Sequence, residues 1–83
     1  MREKLNLFWF YNDECEYCTE MEPEVKQFAK SRDARFIPVH HGIVDESGEP
    51  QVPAIMFSDP KVENRIFLGR FALDALRWSL AQG

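Results

Sequence analysis

The chain has 83 residues, of which 45% are hydrophobic and 13% aromatic, and its formal net charge is −4. This length predicts a single domain over residues 1–83, and the apolar content excludes an intrinsically disordered protein. The acidic balance and the absence of a Lys/Arg-rich run exclude a nucleic-acid-binding surface. No apolar stretch approaches the roughly 18 residues of a membrane-spanning helix, so we expect no transmembrane segment.

The N-terminus is charged, but the apolar run that follows is short and lacks a small-residue cleavage site. This pattern is not typical of a signal peptide. We therefore expect a cytoplasmic protein if the chain is complete, and a periplasmic protein if an export signal has been removed.

Residues 4–11 predict a central strand, because apolar side chains occupy both of its faces. A short loop follows at residues 12–14. From Cys15 to Lys30 the apolar residues recur at three- and four-residue intervals, which predicts an amphipathic helix with Pro23 inside it. Three further strands and a terminal helix are predicted at residues 35–41, 52–58, 64–69 and 71–81. The strand–helix–strand start predicts a parallel crossover, and the last two strands predict a hairpin.

Cys15 and Cys18 are separated by two residues at the predicted helix start. A structural disulfide stabilises chiefly by closing a long loop in the unfolded chain, and this spacing closes almost none. The attacking species in thiol–disulfide exchange is the thiolate, which a helix N-terminus favours. We therefore predict that Cys15 attacks a substrate disulfide and that Cys18, one turn inside the helix, resolves the mixed disulfide.

Carboxylates surround the pair, and no Lys, Arg or His lies within ten residues before Cys15 or seven after Cys18. The nearby acids are Asp13, Glu14, Glu16 and Glu20. Like charge disfavours a thiolate, so the sequence predicts a comparatively reducing couple.

Other interpretations of the two cysteines remain open from the residues alone. They are consistent with two small buried apolar side chains, or with an iron–sulfur cluster bridged between two chains. Zinc bound together with His40 and His41 is a third interpretation, although neighbouring strand residues point to opposite faces of a sheet. We predict no metal.

The whole pattern resembles the thioredoxin superfamily over residues 5–82. The features that carry the resemblance are Cys15 and Cys18, Pro23 five residues further on, Val52-Pro53 before a strand, and Gly69 after the last strand. The resemblance implies an α/β fold of order β-α-β-β-β-α with a four-stranded mixed sheet. The helix that usually lies between the second strand and the strand after the proline is missing or reduced here. The resemblance also implies that Pro53 is cis and faces the cysteines, and that Val52 binds an extended substrate chain by strand addition.

The stretches Phe10–Cys18 and Val52–Pro60 look most like thioredoxin-like proteins of bacterial conjugative-transfer (pilus assembly) systems, which are thiol oxidoreductases or disulfide isomerases. Tyr17 is similar to the tyrosine of glutaredoxins, and we predict that it contacts substrate. The glycines and acidic residues that hold glutathione are missing. Trp9 occupies the position of the buried acid that assists thioredoxins, so proton transfer from Cys18 must use water or another group.

The resemblance implies a thiol–disulfide oxidoreductase that acts on protein or peptide thiols and disulfides. It implies an unidentified redox partner and no cofactor beyond the redox-active disulfide of Cys15 and Cys18. Because this helix is missing or reduced, the sheet face that carries Phe8 and Phe10 is expected to be exposed. An apolar patch of this kind marks an interface, so we expect a homodimer or a docking domain there. The alternative function is a non-catalytic interaction module that uses this face.

Overall fold

The computed structural model describes residues 5–40, 44–49, 51–62 and 65–82. The strands are β1 (Asn6–Tyr11), β2 (Arg35–His40), β3 (Ala54–Phe57) and β4 (Ile66–Leu68). The helices are α1 (Glu16–Ser31), α2 (Ala72–Gln82) and a single 3₁₀ turn at Pro60–Val62. The predicted ends of the second and fourth strands, at His41 and Asn64, lie outside the described residues. No helix in the described part of the chain is long and apolar enough to cross a membrane.

Helix α1 has a clear start and a clear end. Cys15 precedes it in an extended conformation (φ −87°, ψ 103°) and serves as its N-cap. At the other end Asp33 adopts a left-handed conformation (φ 52°), and the Ala34 amide donates to the Ala29 carbonyl over 2.8 Å. This reversal satisfies a carbonyl of the last turn and ends the helix. The predicted helix over Cys15 to Lys30 is therefore correct to within one residue at each end.

The four strands form one mixed sheet in the order β2-β1-β3-β4. Strand β1 is central, with β2 parallel on one side and β3 antiparallel on the other, and β3 pairs with β4 as an antiparallel hairpin. The predicted α/β class and the order β-α-β-β-β-α are confirmed. Between β2 and β3 the described residues 44–49 and 51–53 contain no helix, in agreement with the expectation that this helix is missing or reduced.

The hydrophobic core lies between one face of the sheet and both helices. The sheet contributes Leu7, Trp9, Ile55, Phe57 and Phe67. Helix α1 contributes Cys18, Val25, Phe28 and Ala29, and helix α2 contributes Ala72, Leu73, Leu76 and Leu80. Trp78 is 66% exposed on α2 and does not belong to the core.

The opposite face of the sheet carries apolar side chains from every strand, and no described helix packs on it. Strand alternation and register place Asn6 and Arg35 at one end of this face. They also place eight apolar side chains there, which we call the open sheet face: Phe8, Phe10, Ile37, Val39, Ala54, Met56, Ile66 and Leu68. Ile66 and Leu68 on the edge strand are 47% and 52% exposed. The expectation that Phe10 is exposed is wrong, since it retains only 8% exposure. It lies on the central strand, where side chains of both neighbouring strands flank it.

Candidate active site

Strand β1 leads to the cysteine pair, which lies beyond the C-terminal end of this central strand. The strand ends at Tyr11, and the Glu14 amide then donates to Asn12 Oδ1 over 3.1 Å. The Asn12 side chain thus closes a turn that reverses the chain between β1 and α1. Cys15 follows as the N-cap of α1, and Cys18 lies in the first turn of that helix. The pair therefore lies at the positive end of the helix dipole.

Cys15 and Cys18 form a disulfide, with their Cα atoms 5.2 Å apart. The Cys15 Sγ also accepts a hydrogen bond from the Cys18 amide at 3.0 Å. The sulfur thus occupies the place that a serine or aspartate oxygen takes in an ordinary N-cap. Cys15 is partly exposed, whereas Cys18 is buried, with 4% exposure. This difference suits Cys15 for attack on an external disulfide and Cys18 for the internal step.

A groove of about 620 Å³ lies beside Cys15. Its walls are formed by Asn12, Glu14, Cys15, Glu16, Tyr17, Ser47, Gly48, Glu49 and Val52. Two of the predicted substrate-binding residues, Tyr17 and Val52, therefore lie in the same groove as the sulfur. The third, Pro53, is buried and is not part of the wall.

The Val52–Pro53 peptide bond is cis. The Pro53 carbonyl accepts a hydrogen bond from the Gly69 amide over 2.8 Å, and Gly69 has a left-handed φ of 89°. This bond joins the segment before β3 to the end of β4. Val52 is thereby presented on the groove side, at the end of the sheet where the cysteines lie.

Asp45 organises the loop that forms the second wall of the groove. Its Oδ1 accepts hydrogen bonds from the Ser47 amide (2.9 Å), the Ser47 hydroxyl (2.6 Å) and the Glu49 amide (3.0 Å). Its Oδ2 accepts one from Gln51 Nε2 at 2.9 Å. The Ser47 hydroxyl, followed by the Glu49 amide, lowers the pKa of Asp45 below its ordinary value. An aspartate followed by serine and glycine at two and three residues is a turn signal that would have found this loop.

The groove is acidic, but folding also brings basic side chains into contact with residues next to the cysteines. Glu14, Glu16 and Glu49 lie in its walls. The guanidinium of Arg70 lies over the Tyr17 ring, and His40 Nε2 lies 3.1 Å from Asp13 Oδ2. The pair is therefore not surrounded by carboxylates alone.

The alternative of a zinc site receives no support from side-chain placement. Within the described residues no group of three or more His, Cys, Asp or Glu side chains is arranged to hold a metal ion. His41, the second histidine of that hypothesis, lies outside the described residues.

A second cavity, of about 240 Å³, lies on the Cys18 side of the pair. It is lined by Trp9, Tyr11, Asn12, Asp13, Cys18, Thr19 and Glu22. Trp9 is fully buried, and its Nε1 has no hydrogen-bond partner within the part of the chain that the structure describes. The buried cysteine thus has its own polar surroundings, separate from the groove at Cys15.

Solved structures with a similar course of the chain are thioredoxins. Thioredoxin f2 of Chlamydomonas reinhardtii superposes with a TM-score of 0.68 at 22% identity, covering 98% of this chain and 80% of that one. Thioredoxin 1 of Thermosipho africanus gives 0.68 at 20% identity, with coverages of 93% and 91%. A chain from the complex of ferredoxin:thioredoxin reductase with thioredoxin f2 gives 0.61 at 16% identity, with coverages of 95% and 77%.

No protein-family model matches the sequence, and no curated protein matches it. At identities of 22% or less, the structural likenesses establish the architecture alone. Together with the sheet order and the position of the cysteine pair, they show that this chain has the thioredoxin fold.

Proposed function

We propose that this protein is a thiol–disulfide oxidoreductase that uses Cys15 and Cys18 to reduce protein disulfides. One observation carries the proposal: a disulfide at a helix N-terminus joins a partly exposed cysteine in a groove to a buried cysteine behind it. The thioredoxin fold of the chain supports the same chemistry. The reduced Cys15–Cys18 dithiol supplies the two electrons, so the proposal includes no cofactor.

The reaction consists of two exchange steps. The Cys15 thiolate attacks one sulfur of a substrate disulfide, the substrate S–S bond breaks, and one substrate thiolate leaves. Cys18 then loses its proton and attacks Cys15 Sγ, which releases the second substrate thiolate and forms the Cys15–Cys18 disulfide. The substrate gains two electrons and, from solvent, two protons, while the dithiol is oxidised.

The groove suits an extended polypeptide. Val52 lies in its wall just before β3, at a position where a substrate strand can add to the backbone. Tyr17 is 44% exposed in the opposite wall and offers an aromatic surface to a side chain next to the substrate cysteine. We propose these two residues, with buried Pro53 supporting Val52, as the substrate-binding part of the site.

The acidic walls favour the reducing direction over oxidation or isomerisation. Carboxylates of Glu14 and Glu16 disfavour a thiolate on Cys15 and so make the dithiol a better reductant. A reductase of this kind must itself be reduced after each cycle. The thioredoxin f2 among the similar structures forms a complex with a ferredoxin:thioredoxin reductase. By analogy we propose a protein redox partner that docks at the same groove.

Equilibration with glutathione redox buffers, followed by thiol trapping and mass spectrometry, tests the proposal. We expect one two-electron transition, absent in both Cys15→Ser and Cys18→Ser. A potential near or below about −250 mV supports a reductase, whereas one above about −180 mV would replace it with an oxidase or isomerase. If both cysteines alkylate slowly and no transition appears, the redox function is wrong.

The open sheet face supports a second role, association with a second copy of this chain. All eight of its side chains are apolar, and edge residues such as Leu68 are half exposed. Two copies of a twisted sheet can pack face to face about 10 Å apart around a two-fold axis. A molecule of net charge −4 repels its copy through its acidic surfaces, whereas these eight side chains are uncharged and the charged residue at the end of the same face, Arg35, is basic.

Sedimentation over a range of concentrations tests the dimer. We expect self-association of the wild-type protein that Leu68→Lys abolishes. Phe71→Lys is the matched control, because Phe71 is 63% exposed but lies outside the open sheet face. A wild-type protein that remains monomeric at high concentration rules out this role and leaves the redox function untouched.

A further inference from the structure

The buried position of Cys18 raises a question about its proton. This inference rests on the proposed redox function, in which Cys18 must become a thiolate to attack Cys15 Sγ. Burial disfavours the charged form of a thiol. No charged side chain within the described residues is buried, so no acid or base lies in the core beside Cys18. The proton must therefore leave through the cavity that Cys18 lines.

That cavity can hold a proton-carrying water. Its volume of about 240 Å³ exceeds the roughly 30 Å³ share of one water molecule several times over. Besides Cys18, its lining includes polar side chains that can hold a water by hydrogen bonds: Asn12, Asp13, Thr19 and Glu22.

Glu22 is the base best placed to receive the proton. It lines the same cavity and lies four residues after Cys18 on α1, which puts both side chains on one face of the helix. Its side chain is 40% exposed, so it lies between the cavity and bulk solvent. Lys26 Nζ lies 3.7 Å from Glu22 Oε2, which holds the carboxylate on the helix face that it shares with Cys18.

We propose that Glu22 accepts the Cys18 proton through a water molecule in this cavity. The water accepts a hydrogen bond from the Cys18 S–H and donates one to the Glu22 carboxylate. When Cys18 attacks Cys15 Sγ, the thiol proton passes to the water and a water proton passes to Glu22. The departing substrate thiolate then takes a proton from solvent, and Glu22 returns its own to solvent.

Asp13 is the competing acceptor. The titratable groups that line the cavity, besides Cys18, are Tyr11, Asp13 and Glu22. Asp13 is 84% exposed and already interacts with His40, which lies 3.1 Å away. It comes from the loop before α1, whereas Glu22 shares the helix face of the cysteine. The assignment therefore falls on Glu22.

Stopped-flow reaction of the reduced protein with the aromatic disulfide 5,5′-dithiobis(2-nitrobenzoate) separates the two steps. The first thionitrobenzoate released reports attack by Cys15, and the second reports resolution by Cys18. We expect Glu22→Gln to leave the first phase unchanged and to slow the second by roughly 100-fold, the lower end of the range for general-base catalysis. Glu20→Gln is the matched control, because Glu20 is exposed on the same helix and does not line the cavity.

A second measurement separates proton transfer from a simple charge effect. In a Cys15→Ser background, the pH dependence of Cys18 alkylation gives the pKa of that thiol. Removing the Glu22 charge should lower this pKa, which by charge alone would speed resolution. Slower resolution together with a lower pKa is therefore a signature of a lost proton acceptor.

Three results would overturn the assignment. An unchanged or faster second phase in Glu22→Gln rules out the base, as does a slow second phase in Asp13→Asn with a normal one in Glu22→Gln. Equal slowing in Glu20→Gln would indicate a general effect of helix charge. A different failure, in which the wild-type protein shows no second phase at all, would count against the redox function itself.

Discussion

The guanidinium carbon of Arg70 lies 5.2 Å from the centroid of the Tyr17 ring, so the turn before α2 contacts the segment between the two cysteines. Arg70 also lies 4.9 Å from the Phe71 ring centroid, and this second aromatic contact restricts its position. A cation held beside the cysteine pair favours a thiolate there, in opposition to the acidic walls.

Replacement of Arg70 by Gln should therefore make Cys15 less acidic. An exposed charge pair contributes about 0.2–1 kcal/mol, which corresponds to a rise of about 0.2–0.7 in the thiol pKa. Thiolate absorbance against pH in a Cys18→Ser background measures this change. Arg35→Gln is the control, because Arg35 begins β2 at the other end of the sheet, and an equal shift there would show that only net charge matters.

Replacement of both Glu14 and Glu16 by Gln should act in the opposite direction. Removing two carboxylates from the groove wall stabilises the Cys15 thiolate and with it the reduced state. At about 0.2–1 kcal/mol for each charge, the reduction potential should rise by about 10–40 mV. The glutathione titration measures this rise, which should shrink at high salt because the charges are exposed. Glu24→Gln, outside the groove, should leave the potential unchanged, and a salt-independent shift would contradict an electrostatic origin.

Asp45→Asn should disorder the far wall of the groove without touching the cysteines. The asparagine amide cannot accept all the hydrogen bonds that the carboxylate receives from Ser47, Glu49 and Gln51. We expect faster hydrogen exchange at residues 45–49 and a higher KM for a protein substrate. The rate with a small aromatic disulfide, which does not need the wall, should be unchanged. An unaltered KM would show that substrates do not contact this loop.

The same loop should respond to acid in the wild-type protein. Hydrogen bonds lower the pKa of Asp45 below its ordinary value of 3.8. A carboxyl with a lowered folded pKa stabilises the folded loop fully above its unfolded pKa, and this contribution is lost as the pH falls through the folded value. Hydrogen exchange at residues 45–49 should therefore accelerate below about pH 3.8 in the wild type, relative to Asp45→Asn. Parallel pH profiles for the two proteins would contradict this.

Two residues of α2 should differ sharply in their contribution to stability. Leu76 is fully buried, so Leu76→Ala should lower the free energy of unfolding by about 2–5 kcal/mol. Trp78 is 66% exposed two residues later, so Trp78→Ala should change it by less than about 0.5 kcal/mol. Urea denaturation measures both. A large loss in Trp78→Ala would mean that this side chain is covered in solution.

The order of the elements was predictable because their signals are local. Apolar residues on both faces of residues 4–11 indicated a central strand, and the three- and four-residue spacing after Cys15 indicated α1. The near burial of Phe10 was missed. Neighbouring strands shield this side chain to an extent that depends on the strand register, and the register could not be predicted from the sequence. The narrower resemblance to conjugative-transfer proteins stays a prediction.

The cysteines and their groove were predictable from a spacing, but their electrostatic environment was not. Arg70 is more than fifty residues from Cys18 in the chain, and only the return of α2 to the sheet brings it to Tyr17. Asp45 was similarly hidden, because its role depends on a loop that crosses to the groove. The lack of a hydrogen-bond partner for Trp9 Nε1 was not predictable either, because the alternation of a strand does not indicate which polar atoms its buried side chains will meet.

The hydrogen bond from the Cys18 amide to Cys15 Sγ makes one atom serve two purposes. The sulfur that exchanges electrons with a substrate also holds the first turn of α1 together. Its strength as an acceptor follows its charge, because hydrogen bonds to ionised acceptors are shorter and stronger than those to neutral ones. The NMR chemical shift of the Cys18 amide should therefore report the state of the Cys15 sulfur. It should differ between the thiolate, the mixed disulfide and the Cys15–Cys18 disulfide. The reaction that the N-terminus of α1 promotes therefore also changes the strength of the hydrogen bond that closes the first turn of this helix.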